Sequence, residues 1–502
     1  MSRNLFRAFF SIFGTKVGVL AIGMLTTPLI VRILGSEGYG NYAVLISIFG
    51  VLTVFTNAGI FNGIRKYIAE DRDIDHWNKI VFSFYFRISI LATGLLALIL
   101  VTFSQTSLIV ELLSAEFQTY FAILAAYLFV SQFYSMGRGV LMGFGLEHYS
   151  EPLQMVNKVI YAVIALSLLY YEFGVNGLLI GHVTAAVIVG ALAFWFVREK
   201  LSFRQLIRPV PNTVSRRQLL TFNVYSILLA FLTISLYHVD ILLLRPISGS
   251  SVTGFYKASL TVAEFLWLVP MAIQYTLVQS TSEMWSKNQD QLITTIASSA
   301  TRLNLSLVVI MGIGLAALAD VFVPLYFGAE FTPAVGPLLL LLPGVLGFSL
   351  SRPIFAIGQG KGQLRSLVLT TGGAAVLNLF LNLLLIPRYG MYGAAVATSI
   401  GYGSMFFLHA WTARRIGFDP VGDLRVARIA VAGVAAAPVV FGLASMLPAI
   451  PALIVVPPVG FVVYVVVSIR AGVVDTAEIE QIQNRAPDAT DRLFSWLYRL
   501  HG

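Results

Sequence analysis

The chain has 502 residues, 57% hydrophobic and 11% charged, against roughly 25% charged in soluble domains, so a water-soluble globular fold is excluded. Cysteine is absent, which removes disulfides, thiolate catalysis and Cys-ligated metals. The net charge of +9 reads as the basic inner loops of a polytopic membrane protein rather than as a nucleic-acid surface.

Arg3 and Arg7 precede an apolar run longer than a signal-peptide core and without a small-residue cleavage site, so the N-terminus reads as a retained span. A crossing helix takes about 20 apolar residues. By that ruler spans fall near 11–33, 42–64, 80–102, 119–141, 154–172 and 176–197. A second set falls near 220–244, 255–280, 303–323, 337–357, 367–386 and 392–411, and two more near 428–447 and 451–469. The expected fold is all-α, with fourteen transmembrane helices. Residues 1–198 form one six-helix lobe, 199–219 a cytoplasmic linker, 220–412 a second six-helix lobe, 413–470 the last two helices and 471–502 a tail.

The two lobes read as a duplication. Gly40 pairs with Gly254 and Arg138 with Arg352 at offset 214. Arg87 pairs with Arg302, and Gly143-Phe-Gly145 with Gly358-Gln-Gly360, at 215. Phe173-Gly-Val-Asn-Gly177 pairs with Tyr389-Gly-Met-Tyr-Gly393 at 216. Six spans per half is an even number, so the repeat is parallel, about an axis along the membrane normal.

Basic residues set the orientation. With the N-terminus inside, inner loops hold Arg65, Lys66, Arg72 and Lys79, then Arg198 to Arg217, Lys361, Arg365, Arg414, Arg415, Arg425 and Arg428. Outer loops hold only Arg245 and Arg388. Outer loops run to about a dozen residues, too short for a catalytic domain, which argues against a membrane glycosyltransferase or polymerase. The linker carries Pro209, Pro211 and a Ser215–Gln218 capping box. The tail end DRLFSWLYRLHG suits a short interfacial helix.

Charges at membrane depth face cavities or partners. Candidate cavity cations are Lys16, Arg32, Lys257 and Arg352; candidate anions are Asp240 and Glu264, the latter near mid-bilayer. Asn57 closes a polar stripe on the second span, and Asn378 and Asn382 lie one turn apart on the eleventh. Arg87, Arg302, Arg352 and Lys158 read as reaching the inner face. His182, His238 and His409 are separate in sequence and read as helix contacts, with no metal assigned. Pro270 removes a hydrogen bond inside the eighth span. The excess of cations favours an anionic ligand, phosphate being the common partner of Arg and Lys. Small polar stripes are also plain helix–helix contacts, and that reading stays open.

The run PLIVRILGSEGYGNY, Pro28 to Tyr42, resembles the first-loop pattern of the Wzx-type lipid-linked oligosaccharide flippases. PRYGMYGAAVAT, Pro387 to Thr398, resembles their signature between helices 11 and 12. The resemblance implies membership of the multidrug/oligosaccharidyl-lipid/polysaccharide superfamily, with two lobes around a cationic cavity working by alternating access. In related lipid II flippases, basic residues of helices 1, 2 and 8 line that cavity. Lys16 and Lys257 occupy comparable helices, whereas the second span has no internal Arg or Lys and the peptidoglycan-precursor motif of the first is missing.

The expected function is therefore movement of a polyprenyl-(di)phosphate-linked glycan from the cytoplasmic to the outer leaflet of the cell membrane. Lys16, Arg32, Asn57, Lys257, Arg352, Asn378 and Asn382 would meet phosphate and sugar; Asp240 and Glu264 would bind a coupling proton or sodium. No catalytic residue, cofactor or nucleic-acid partner is expected. The chain is expected to be a monomer with both termini cytoplasmic. The alternative is a cation or drug antiporter of the multidrug-exporter branch, using Asp240 and Glu264 as counter-charge; that branch usually has twelve helices.

Overall fold

The computed structural model describes residues 2–70, 72, 74–201, 216–221, 224–475, 478 and 480. Side chains are described from Gly14 onward, apart from residues 16, 58, 218, 220, 221 and 279. The Lys16 side chain, the Ser215–Gln218 capping box and the amphipathic tail end lie outside the described residues. Among those described, every regular element is helical, and twelve helices are long and apolar enough to cross a membrane. The side chains of Leu25, Leu91, Phe407 and Val434 stand more than 70% exposed, which suits hydrocarbon rather than water as solvent. The chain is a multi-pass membrane protein.

Helix α1 (Ser2–Thr53) is broken at Gly35, whose backbone (φ 67°, ψ −177°) no L side chain adopts comfortably. A π turn at Val54–Ala58 leads into α2 (Gly59–Ala69). Then follow α3 (Trp77–Ser104), the short α4 (Ser107–Leu112), α5 (Glu116–Gly143), α6 (Glu147–Tyr170) and α7 (Gly174–Val197). After α8 (Arg216–Thr221) come α9 (Val224–Ser248) and α10 (Ser250–Ala263). The next turn, Glu264–Trp267, is 3₁₀, and α11 (Leu268–Ser286) resumes the helix. Pro270 supplies no N–H to the carbonyl four residues back, and the tightened turn sits where that bond is missing.

Next are α12 (Asp290–Phe327), a 3₁₀ turn at Ala329–Ala334, and α13 (Val335–Gly360). Helix α14 (Leu364–Ile416) is broken at Gly390 (φ 54°, ψ −130°). Helices α15 (Val426–Met446) and α16 (Ala449–Arg470) end the described helical chain.

The chain forms two compact units. The first comprises residues 1–257 and 386–391. Its core gathers Ile64, Tyr67, Trp77, Phe82, Tyr85 and Val140, and the Trp77 indole donates to the Tyr67 carbonyl at 2.7 Å. The second comprises 258–385 and 392–502. There the Trp267 and Phe348 rings lie 4.4 Å apart and Phe348 and Tyr402 4.9 Å. Next to Pro343, the Gly344 N–H donates to Ser399 Oγ at 2.8 Å. In both units small residues let helix backbones approach closely, as packing in lipid requires.

The helix ends carry the duplication. Gly35 and Gly249 have positive φ at offset 214, and Gly174 and Gly390 share φ 54° at offset 216. Gly145 and Gly362 close α5 and α13 with φ 70° and 76°, an offset of 217. The glycine pairing of that loop therefore shifts by two residues from the 215 read in the sequence. By the same helix-end alignment Arg352 sits about one turn from the counterpart of Arg138.

Candidate functional site

The first unit contains the crossing of the duplicated glycine motifs. Ser36-x-x-x-Gly40 of α1 packs on Ser250-x-x-x-Gly254 of α10. A β-carbon on Gly40 would overlap the Ser250 carbonyl oxygen, and one on Gly254 would overlap the Ser36 carbonyl oxygen. The contact is reciprocal: equivalent residues of the two repeats meet each other about a local two-fold. Two backbones this close leave room for no side chain at all.

Polar contacts flank the crossing. Arg245 of α9 is buried; its Nε donates to Asn41 Oδ1 at 2.9 Å and a terminal nitrogen to the Leu113 carbonyl at 3.0 Å. His238 lies 3.0 Å from Ser47 Oγ and rests on Gly50, a helix contact as expected for it. Asp240 is fully buried. It accepts the Tyr256 hydroxyl at 2.5 Å and the Ile241 N–H at 2.8 Å, so this carboxylate is satisfied by donors on its own helix and on α10. Tyr256 was not among the expected site residues. The signal that finds it is its counterpart, Tyr42, at offset 214.

The expected cations are placed differently from one another. Arg32 is exposed, and Lys257, inside α10, is half-buried. Asn57 sits in the π turn, and Ser135 Oγ donates to its Oδ1. In the second unit Glu264 opens the 3₁₀ turn and is half-buried. Arg352 is 2% exposed, its guanidinium 3.7 Å from the Phe348 ring centroid and 5.4 Å from that of Phe355. It does not reach a helix end.

Asn378 and Asn382 are fully buried. Asn378 Nδ2 faces Thr398 Oγ1 at 3.4 Å, and Asn382 Nδ2 donates to the Asn378 carbonyl at 2.9 Å. The side-chain oxygens of both asparagines accept no hydrogen bond. Two buried amide oxygens therefore stand with open lone pairs close to the Thr398 hydroxyl. Gly401 lies so close to Asn378 that a β-carbon there would stand 2.7 Å from Asn378 Cβ.

Sequence reasoning also missed the fate of Arg302. It is 1% exposed, paired with Asp423 of the loop after α14 and with Glu478 of the tail, partners that its position in the sequence does not show. Arg425 joins this network through Asp423 at 2.8 Å and Asp475 at 2.5 Å.

Comparison with known proteins places the geometry. The fold is similar to that of the lipid II flippase MurJ in an inward closed conformation: TM-score 0.74, 14% identity, 93% of this chain and 98% of that one covered. An inward-facing multidrug resistance MATE family transporter gives 0.63, 15%, 80% and 98%. Among curated proteins, the probable low-salt glycan biosynthesis flippase Agl15 of Haloferax volcanii is 22% identical over 433 residues, 84% of this chain and 86% of that one. The uncharacterized membrane protein MJ1375 of Methanocaldococcus jannaschii is 25% identical over 399 residues, 76% of this chain and 92% of that one. Residues 5–273, more than half the chain and including both halves of the Gly40–Gly254 crossing, match the family described as "Polysaccharide biosynthesis protein". The chain belongs to that family.

Proposed function

We propose that the protein is a flippase that carries a polyprenyl-(di)phosphate-linked sugar or oligosaccharide from the cytoplasmic to the outer leaflet of the cell membrane by alternating access. The observation that carries this reading is the reciprocal Ser36/Gly40–Ser250/Gly254 crossing. It is tight and symmetric, a direct approach of two backbones at Gly40 and Gly254, which helices can open and re-form without a side chain having to leave the contact. Family membership and the name of the Haloferax relative support glycan as cargo.

Two 53-residue stretches, Val17–Ala69 and Leu364–Ile416, are about 80 Å long at 1.5 Å per residue, far beyond the ~30 Å hydrocarbon core. Each counts as two passes, divided at Gly35 and Gly390, which makes fourteen. Both termini lie inside by the distribution of Lys and Arg. Lys16, Arg32 and Lys257 meet the phosphate, with Arg352 as a buried source of positive potential. The lipid chain stays in the bilayer, since each methylene is worth about 0.8 kcal/mol there.

Asn378 and Asn382 were grouped with the sugar contacts. Their full burial and unpaired oxygens suit a small dehydrated cation better than a sugar, which needs room. We therefore join them to Asp240 and Glu264 as residues of ion coupling. The protein acts as a monomer.

A deletion strain is the test: the lipid-linked glycan should accumulate on the cytoplasmic face, and reconstituted protein should expose that lipid on the far side of a liposome. Resistance to cationic drugs on overexpression, with no glycan lipid accumulating on deletion, would instead make the chain a cation exporter.

A further inference from the structure

Four rings of the first unit stack into one column, and a lysine closes it. Phe49 of α1 lies on Tyr127 of α5 with centroids 4.1 Å apart, Tyr127 on His182 of α7 at 4.9 Å, and His182 on Tyr161 of α6 at 3.9 Å. Each pair is within 26° of parallel. The Tyr42 hydroxyl ties the column together, 3.0 Å from Tyr161 Oη and 2.8 Å from His182 Nε2. The last member is Lys158, at the middle of the 24-residue α6, whose ammonium lies 5.1 Å from the Tyr161 ring centroid. Lys158 is half-buried and does not reach a helix end. Tyr161 is 2% exposed, so the column backs the ammonium and offers no ring face of its own there. Gly18 and Gly23 keep α1 free of side chains where it passes Met155 and Lys158: β-carbons there would stand 3.0 Å from Met155 Sδ and 3.9 Å from Lys158 Cε.

A charge at this depth is costly and marks a ligand path or a partner. No carboxylate among the described residues pairs with Lys158. Glu151, two turns away on the same helix, is already held by Arg138 at 3.1 Å. The contact with Tyr161 recovers part of the cost, because a cation over a ring gains most where water is excluded. A ring face brings no counter-charge, however. For packing alone methionine would serve better, since it fills similar space without the penalty of a buried charge. What the column adds is a fixed position for a flexible four-carbon side chain, which lowers the entropy cost of ordering it around a partner. The partner that chemistry calls for is an anion. One ammonium balances one negative charge, which fits a carboxylate. A phosphoryl group brings about −1.5 to −2 and favours the paired donors of arginine.

We infer, resting on the flippase reading, that Lys158 binds a carboxylate carried by a sugar of the glycan, so that the cargo belongs to the class of acidic glycans. In that reading Lys16, Arg32 and Lys257 meet the phosphate. Lys158, at mid-membrane, meets the sugars that cross with it. Neutral sugar hydroxyls need only hydrogen-bond partners on the way, whereas a carboxylate at that depth also needs a counter-charge. The stacked rings hold that counter-charge in place before the sugar arrives, and the bare face of α1 at Gly18 and Gly23 leaves the ammonium's stem uncrowded. Lys158 is thus a residue of cargo selection, separate from those that hold the phosphate.

Full-length protein in phosphatidylcholine liposomes tests this with two probes, polyprenyl-diphosphate-linked glucuronate and its glucose counterpart, which differ only in a carboxylate against a hydroxymethyl group. The initial rate of transfer should favour the glucuronate by about 10- to 150-fold, the range of a hydrogen bond to a charged group. Lys158→Arg should keep that preference. Lys158→Met should bring glucuronate transfer down to the glucose rate, leave glucose transfer alone, and leave the thermal unfolding temperature equal or higher. Equal rates for the two probes in the unmodified protein overturn the inference and leave the flippase reading standing, and so does a preference retained in Lys158→Met. Transfer of neither probe removes the flippase reading, and the carboxylate site with it. If Lys158→Met does not fold, the unmodified protein and Lys158→Arg still decide through the two probes.

Discussion

The two repeats share a backbone plan and diverge in how they treat charge. In the first, Arg87 is half-buried and Lys158 sits mid-span without a carboxylate. In the second, the equivalent Arg302 is shut away with Asp423 and Glu478, and the polar pair buried within it, Asn378 and Asn382, is uncharged. What was duplicated is the set of helix breaks and close approaches, Gly35 with Gly249 and Gly174 with Gly390. What diverged is side-chain chemistry inside the same frame. Backbone geometry is common property because every helix in lipid must satisfy its own hydrogen bonds; charge placement is free to specialise.

The strongest way to break that comparison is at its shared element. Gly40→Val and Gly254→Val should both abolish complementation of a deletion strain, and by similar amounts, since each inserts a side chain where a carbonyl oxygen already lies. Overpacking costs about 1–3 kcal/mol, so closure of the crossing should weaken about 5- to 150-fold. Equal defects support a symmetric crossing. A harmless Gly254→Val beside a damaging Gly40→Val would show that the two motifs are not partners.

Arg302 comes next. Removing both its acids by Asp423→Asn with Glu478→Gln leaves a buried guanidinium uncompensated, which costs about 3–5 kcal/mol. Arg302→Met removes the charge itself and lets two partly exposed carboxylates return to water, so it should cost less. Thermal unfolding in detergent should rank the double variant below Arg302→Met, and Arg87→Met should be the mildest. The reverse order would mean that Arg302 acts through its hydrophobic stem. A smaller, functional effect belongs to the amide pocket: Asn378→Leu should leave the fold intact and remove the dependence of transport on the cation gradient. Unchanged gradient dependence would take the pocket out of coupling.

The frame was legible in the sequence because glycine and hydropathy report local demands. Apolar runs gave the spans, and the recurrence of Gly40 and Tyr42 at Gly254 and Tyr256 gave the repeat. Register inside the repeat was less legible: the drift from 214 to 217 comes from single-residue differences at helix ends, which a motif match does not see. Charged residues were the least legible. Arg302, Arg352 and Lys158 all read as long side chains bound for the inner face, because sequence shows where a cation stands but not which loop returns to meet it. Asp423 and Glu478 are 121 and 176 residues from Arg302 in the chain. The Tyr42–His182 contact spans 140 residues, and its only trace was the pairing of Tyr42 with Tyr256.

The smallest expected effect lies at the end of the same second-half network. Asp475 is held below the usual carboxylate range, first by its hydrogen bond from Arg425, and Arg425 is correspondingly raised. A lowered folded-state pKa means that the contribution is complete above the unfolded value near 4 and fades as pH falls through the folded one. Nothing should change between neutral pH and mild acid. The pair is half open to water, with Asp475 50% exposed, so its whole worth is at most about 1 kcal/mol. Asp475→Asn should therefore lower thermal stability slightly at neutral pH and not at all near pH 3. A loss that persists at low pH would assign Asp475 to backbone capping of the segment after α16 rather than to its charge, and the ion network would then rest on Asp423 and Glu478 with Arg302 and Arg425.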